Sequence, residues 1–238
     1  MRGHQRQTQP GHERHGGHRG GDRHQSGHHC HRHAAGNALT RSGTIYLLRH
    51  GRINQSVPRR FVGQLDLPLD EEGLRQARAM HHFLRDIDFA GIFTSPLQRS
   101  RQTAQILAGS REIVPTPLAE LAEINLGAWE GLTVDEVRRR FPGQYEKRGE
   151  DLAHYRPEGG ESFHDLARRI LPVFVRLAEE NRWPLLVVAH AGVNRVLLAS
   201  LQQLPFKDLL QIPQDYCCLN IIRVRDGIWH VDAINQRI

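Results

Sequence analysis

Thr44-Ile45-Tyr46-Leu47-Leu48-Arg49-His50-Gly51, residues 44–51, decides the fold. Residues 45–48 form a short apolar run rich in β-formers, which predicts a buried strand. The run ends abruptly at Arg49-His50-Gly51, so the strand feeds a polar loop. The same arrangement recurs twice downstream. Gly91-Ile92-Phe93-Thr94 is stopped by Ser95-Pro96, and Leu185-Leu186-Val187-Val188-Ala189 ends at His190-Ala191-Gly192.

Helical patterns fill the intervals. Asp70-Glu71-Glu72 puts acids in a first turn, with Leu74, Ala77, His81 and Leu84 expected on one face. Further helices are predicted over 97–107, over 133–140 before Pro142-Gly143, and over 193–203. Residues 162–180 place Phe163, Leu166, Ala167, Ile170, Phe174, Leu177 and Ala178 at helical spacing. Ser162 and Asp165 resemble a capping box there, and Pro172 is expected to kink the middle. Two last strands, 219–224 and 228–234, flank Asp226-Gly227, a strong hairpin signal. Strands alternating with helices predict an α/β domain with a mainly parallel sheet and an antiparallel edge.

Outward towards the N-terminus the chain changes character. Residues 1–43 hold seven Arg, nine His and nine Gly against two acids, and Met1 and Cys30 are the only apolar side chains before Ala34. Such a segment buries too little surface to offset its ordering entropy, so a disordered tail, 1–43, is expected ahead of one domain, 44–238. A metal-chelating tail is the alternative, although the histidine spacing is irregular and lacks a tetrahedral ligand pattern. The chain's formal charge is +6, but residues 44–238 hold 25 basic and 24 acidic side chains, so five units belong to the tail. With no aromatics among its arginines, that segment is a poor nucleic-acid arm.

No apolar run approaches the roughly 18–20 residues that span a bilayer, and no apolar leader opens the chain. Three cysteines without a C-x-x-C pair give no disulfide framework, so a reducing, cytoplasmic setting is expected. Cys217-Cys218 open an apolar strand and read as core, and Trp129 and Phe141 read as packing residues. His81, His82, His154, His164 and His230 read as surface or packing residues.

In open α/β sheets ligands bind beyond the carboxyl ends of the strands. If the three strands are neighbours, His50, His190, Arg49 and Arg99 (one helical turn past Pro96) converge on one spot. Guanidinium forks complement phosphate oxygens, and a neutral imidazole beside them can attack phosphorus. A single histidine at a strand end is more often structural; it is the three clusters together that point to chemistry.

Five stretches, in order, resemble the motifs of the histidine phosphatase superfamily, which includes cofactor-dependent phosphoglycerate mutases. They are Leu47-Leu48-Arg49-His50-Gly51, Thr94-Ser95-Pro96-Leu97-Gln98-Arg99-Ser100 with Thr103-Ala104, the run Glu123-Ile124-Asn125-Leu126-Gly127-Ala128-Trp129-Glu130-Gly131, then Gly159-Gly160-Glu161-Ser162 and Val188-Ala189-His190-Ala191-Gly192-Val193. The resemblance covers residues 44–224. It implies a three-layer sandwich around a mixed, mainly parallel sheet. It makes His50 the nucleophile, with Arg49, Arg99 and His190 holding the phosphate oxygens. Glu123, rather than nearby Glu120, would protonate the leaving alkoxide and then deprotonate the attacking water. Gly51, Arg52 and Ser56 are further expected substrate contacts.

Two departures stand out. Arg52-Ile53 replace the family's usual Glu or Gln followed by Thr or Ser, and Ser56 stands where its asparagine aligns, with Asn54 two residues early. Either Ser56 substitutes or Asn54 reaches in. Arg52, Arg59 and Arg60 either add positive charge over the entrance or belong to an ordinary solvated loop. The short connection between Trp129 and Gly159 favours hydrolysis over mutase chemistry, and Gln214-Asp215-Tyr216-Cys217-Cys218-Leu219-Asn220 looks most like the α-ribazole phosphatase branch.

The expectation is therefore a metal-independent phosphomonoesterase working through phosphohistidine on a small phosphorylated metabolite, with α-ribazole 5′-phosphate as the named candidate. No cofactor, nucleic acid or membrane is expected, and a homodimer is left open. The alternatives are a phosphoglycerate mutase, which would need a bisphosphoglycerate primer, and a histidine-rich metal-binding protein with a non-catalytic body.

Overall fold

A computed structural model describes residues 42–55 and 57–238. The expected tail therefore lies, but for Ser42 and Gly43, outside the described residues, and so does Ser56. The strands are β1 (Gly43–Arg49), β2 (Gly91–Thr94), β3 (Thr116–Pro117), β4 (Leu185–Ala189), β5 (Leu219–Arg225) and β6 (Ile228–Gln236). The helices are α1 (Glu71–Phe83), α2 (Gln98–Ala108), α3 (Val134–Arg140), α4 (Gln144–Glu150), α5 (Phe163–Glu180) and α6 (Ala191–Leu201). The sheet order is β3-β2-β4-β1-β5-β6. β3, β2, β4 and β1 run parallel, whereas β5 and β6 add antiparallel to the far side of β1.

Strand alternation builds the layers. Ile45, Leu47, Leu185, Val187 and Ala189 join a core with α5 and α6, including Leu166, Ile170, Phe174 and Val196. Leu48, Leu186 and Val188 join a second core with Met80 and Leu84 at α1 and with Ala104 and Leu107 of α2. Every residue of β4 is fully buried, because both its faces carry helices, and this is why the strand reads as an unbroken apolar run.

Most helix boundaries fall close to the sequence expectation. Ser162 and Asp165 do form a capping box, and α5 continues through Pro172 as one 18-residue helix. Asp226 and Gly227 both have positive φ, 50° and 77°, the backbone of a type I′ hairpin turn. The core face of α1 differs from the expected one. Ala77 and Leu84 are buried as expected, but Gly73 and Met80 complete the face while Leu74 and His81 are only half-buried. α6 starts at Ala191, earlier than expected, because His190 itself occupies the cap position with extended backbone. β3 and α4 have no counterpart in the apolar pattern. β3 is two exposed residues at the sheet edge, where a proline is tolerated, and α4 buries no residue fully.

The register sets up the site. Arg49 lies opposite Ala189 and Thr94 opposite Val188, so β1, β4 and β2 end nearly level. His50, Ser95 and His190 leave the sheet side by side. The His50 N–H still donates to the Ala189 carbonyl (3.1 Å) and the Ser95 N–H to that of Val188 (3.0 Å).

Candidate active site

A cavity of about 300 Å³ opens at these strand ends, and Arg49, His50, Arg99 and Glu123 all line it. His50 is 4 % exposed, and its Nδ1 lies 2.7 Å from the Gly51 carbonyl oxygen. A carbonyl only accepts, so Nδ1 carries the proton and Nε2 holds the free lone pair. Burial, then the charges of Arg49 and Arg99, push the His50 pKa well below the usual histidine value. The imidazole is thus neutral and oriented at neutral pH, as a nucleophile must be.

Gly51 and Gly73 fix the loop after His50. A Cβ on Gly51 would sit 2.6 Å from the Gly73 carbonyl oxygen, and one on Gly73 only 2.1 Å from that of Arg52. The Gly51 N–H donates to Thr103 Oγ1 (3.1 Å), which gives the Thr103 of the second motif a positioning job. Gly51 does not line the cavity.

His190 is fully buried, with its ring centroid 5.0 Å from that of His50. Its Nε2 meets Ser95 Oγ at 2.7 Å. Ser95 Oγ also accepts from the Leu97 N–H, Ser100 Oγ lies 3.4 Å from the same Nε2, and the other ring nitrogen is Nδ1. That Nδ1 has no partner among the described residues. Burial first, then Arg99, holds the His190 pKa well below the ordinary value.

The two arginines share one feature. Arg99 is 1 % exposed and donates from Nη1 to the Leu65 carbonyl (2.6 Å) and from Nη2 to that of Gly63 (2.7 Å). Arg49 donates from Nη1 to the Gln214 carbonyl (2.5 Å) and lies 3.9 Å over the Tyr216 ring. In both, the buried Nε has no partner, and neither pairs with a carboxylate among the described residues. The fully buried Arg99 and half-buried Arg49, each with an unpartnered buried Nε beside a neutral imidazole and with Glu123 as the nearby negative charge, suit an anion.

Gln214, which holds Arg49, is itself held from below. Its side chain accepts from Asn194 Nδ2 (2.9 Å) and donates to Asn220 Oδ1 (2.7 Å), and Asn220 donates in turn to the Leu47 carbonyl (3.0 Å). This explains the amides in the 214–220 stretch, for which sequence offered only a likeness.

Glu123 hangs over the cavity from an irregular segment. One carboxylate oxygen accepts from the Ile124 N–H (2.9 Å) and the other from the Gly192 N–H at the start of α6 (3.0 Å). A Cβ on Gly192 would stand 2.3 Å from that carboxylate, so glycine is what admits it. Arg169 of α5 braces the segment, donating to the carbonyls of Glu120, Ala122 and Glu123 while pairing with Glu161 at 2.8 Å. Glu161 also accepts from the Asn125 N–H, so the Gly-Gly-Glu-Ser motif works through Glu123. Glu120, the competitor in sequence, reaches Arg176 instead and does not line the cavity.

Arg52 pairs with Asp70 at 2.8 Å and is not part of the cavity wall. Arg59 and Arg60 are, and Arg60 is tied to Glu136 at 2.8 Å. Sequence reasoning missed Arg148 and Arg195, which also line the cavity. Arg195 sits on the first turns of the helix that leaves His190, a position from which it could have been suspected; Arg148 had no such mark. Burial pushes the Cys217 and Cys218 thiols up to about 12 and about 11, in keeping with core residues. Among the described residues no group of three His, Cys, Asp or Glu is placed to hold a metal ion, and no helix is long and apolar enough to cross a membrane.

Comparison with known proteins supplies the context. The family model described as "Histidine phosphatase superfamily (branch 1)" matches residues 45–237. The adenosylcobalamin/alpha-ribazole phosphatase of Salmonella typhimurium is 29% identical over 194 residues, covering 81% of this chain and 96% of that protein. The 6-phosphofructo-2-kinase/fructose-2,6-bisphosphatase of Arabidopsis thaliana is 35% identical over 172 residues, yet the match spans only 22% of its length. Among solved structures, mycobacterial glucosyl-3-phosphoglycerate phosphatase superposes with a TM-score of 0.73 at 30% identity, covering 82% of this chain and 99% of that one.

Proposed function

The chain belongs to the histidine phosphatase superfamily, and from that premise we propose that it is a metal-independent phosphomonoesterase working through a phosphohistidine on His50. The observation that carries this reading is the neutral, Nδ1-anchored imidazole of His50 beside two guanidinium groups whose buried Nε atoms have no partner among the described residues.

Arg49, Arg99 and His190 hold the non-bridging oxygens of a bound monoester. His50 Nε2 attacks phosphorus, forming the N–P bond as the bond to the ester oxygen breaks. Glu123 gives its proton to that departing alkoxide. A water then gives a proton to Glu123 and attacks phosphorus, the N–P bond breaks, and inorganic phosphate leaves. Charge held at fixed positions is the main contribution in phosphoryl transfer, which fits a pocket built from buried cations. The connection between Trp129 and Gly159, folded as only the two seven-residue helices α3 and α4, supports hydrolysis over mutase chemistry. α-Ribazole 5′-phosphate is the first candidate substrate, because the Salmonella relative named for it matches over nearly its whole length.

The test is phosphate release from a panel of monoesters in EDTA, with wild type and His50→Ala in parallel. We expect wild-type turnover in EDTA and a loss of about 10³-fold or more in His50→Ala, as for removal of a covalent nucleophile. A phosphoryl label should stay on the protein in base and leave in acid. Undiminished turnover of His50→Ala would sink the mechanism, and dependence on added metal would sink the metal-independent reading.

A further inference from the structure

Two acids stand in the run from Glu123 to Gly131, and only Glu123 reaches the cavity. Glu130, at its far end, is half-buried, and its carboxylate is committed to backbone. Oε1 accepts from the N–H of Leu126 (3.2 Å), in its own segment, and from the N–H of Gln64 (2.7 Å), on the loop between β1 and α1. The approach is close. Gly63 has a φ of 50°, and a Cβ there would stand 2.4 Å from that oxygen. An ionised acceptor makes these ties stronger than a neutral one would.

Gln64 is the crossing point of two sets of bonds. The carbonyls on either side of it, Gly63 and Leu65, are the ones that receive the Arg99 guanidinium. Its side chain runs the other way, and Nε2 donates to the Glu123 carbonyl (2.9 Å). Backbone pairs close the junction: the Gly131 N–H donates to the Phe61 carbonyl (2.7 Å) and the Phe61 N–H to that of Leu132 (2.8 Å). At the loop's other end Asp66 accepts from the Gln98 N–H (2.5 Å), one residue before Arg99. Arg99 and Glu123 come from separate elements, yet both are referred to one residue. Such referencing matters, because a misplacement of about 1 Å can cost about 10²-fold in rate.

We propose that Gln64 and Glu130 are positioning residues that set Glu123 against Arg99, so that the proton donor and the phosphoryl-binding fork keep one spacing. The proposal rests on the phosphomonoesterase reading and deepens it. Neither side chain lines the cavity, so each acts through the residues it holds. Their tasks are separable: the Gln64 side chain holds the Glu123 segment, whereas Glu130 holds the loop on which both Arg99 and Gln64 depend.

Leaving-group chemistry tests this. Phenyl phosphate and p-nitrophenyl phosphate are similar in shape, but phenoxide depends on a proton to leave far more than p-nitrophenoxide does. Their kcat/KM values report the step in which the leaving group departs. Gln64→Leu should lower kcat/KM about 10-fold for phenyl phosphate and less than about 3-fold for p-nitrophenyl phosphate, with the inhibition constant of inorganic phosphate within about 2-fold of wild type. Glu130→Leu, which frees the loop, should also weaken inorganic phosphate by about 10-fold. Glu130→Gln keeps an oxygen acceptor and should recover most of both losses. A merely structural role would lower both esters together. Equal losses on the two esters in Gln64→Leu, or none, would overturn the proposal, as would a folded Glu130→Leu that binds phosphate as wild type does. Should Glu130→Leu fail to fold, Gln64→Leu still decides. His50-dependent hydrolysis with an unchanged ester ratio leaves the phosphatase reading standing while the positioning role falls. Absence of any His50-dependent phosphate release from either ester would overturn both.

Discussion

At the scale of single residues, Gly192 shows how a position without a side chain can govern one that has chemistry. Its N–H holds the Glu123 carboxylate, and any Cβ would occupy the same space. Gly192→Ala should therefore lower kcat by about 10²-fold, the scale of a displaced acid–base group, with a much smaller change in Tm. Kinetics and thermal melting on the same preparation check this; a variant with wild-type kcat would refute it. The two buried histidines predict a pH dependence. His50 and His190 have depressed pKa values in the fold, so below about 6.5 the unfolded chain binds more protons than the native one. Stability is then fully present above that pH and declines as pH falls towards the depressed folded values. The slope is at most about 1.4 kcal/mol per pH unit for each ring. Tm measured between pH 7.5 and 5 should fall, and His190→Asn should flatten the fall. That Arg49, His50, Arg99 and Glu123 line one cavity was legible because each follows a strand or sits at a fixed spacing within a motif. Arg148 and Arg195 were not, since nothing in sequence marks which way an isolated arginine on a helix faces.

At the scale of elements, α5 does more than cover the sheet. Through Arg169 it ties down three carbonyls of the segment bearing Glu123, and Glu161 just ahead of the helix completes the brace. Arg169→Met should cost about 2–4 kcal/mol by leaving these acceptors unpaired, and lower kcat by about 10-fold or more while changing KM little. Arg169→Lys should restore part of the stability and little of the kcat, because one ammonium cannot reproduce the fork. Equal losses in kcat for both variants and a proportional loss of fold would reduce Arg169 to a structural prop. Periodicity revealed α5 and β4 because burial there is extensive and regular. It failed for α4, where no residue is fully buried, and slipped on α1, where Gly73 serves the core face by absence of a side chain rather than by hydrophobicity.

At the scale of the whole molecule, the layered sheet followed from the alternation of strands and helices, but its strand order did not. Nothing in the local sequence says that β1 will sit between β4 and β5. Charge was legible only in part: the net +6 drew attention to residues 1–43, whereas the cations that line the cavity are spread over a nearly neutral body. Removing residues 1–41 should leave kcat within about twofold of the full chain, since every residue that lines the cavity lies beyond that stretch of sequence. Loss of turnover on that truncation, together with loss on chelation of the full chain, would favour the histidine-rich alternative instead.

The sheet order has a consequence for synthesis. Among the described residues β1 is the first strand translated and the most central to the site, yet its two partners begin only at Leu185 and Leu219. At about 5–20 residues per second, a ribosome needs roughly 7–30 s to pass from His50 to the strand beside it. Throughout that interval the backbone edges of this apolar strand are unpaired, and an unpaired edge invites pairing with another chain. A chain released at Cys218, just short of β5, should accumulate as aggregate rather than survive as a smaller enzyme.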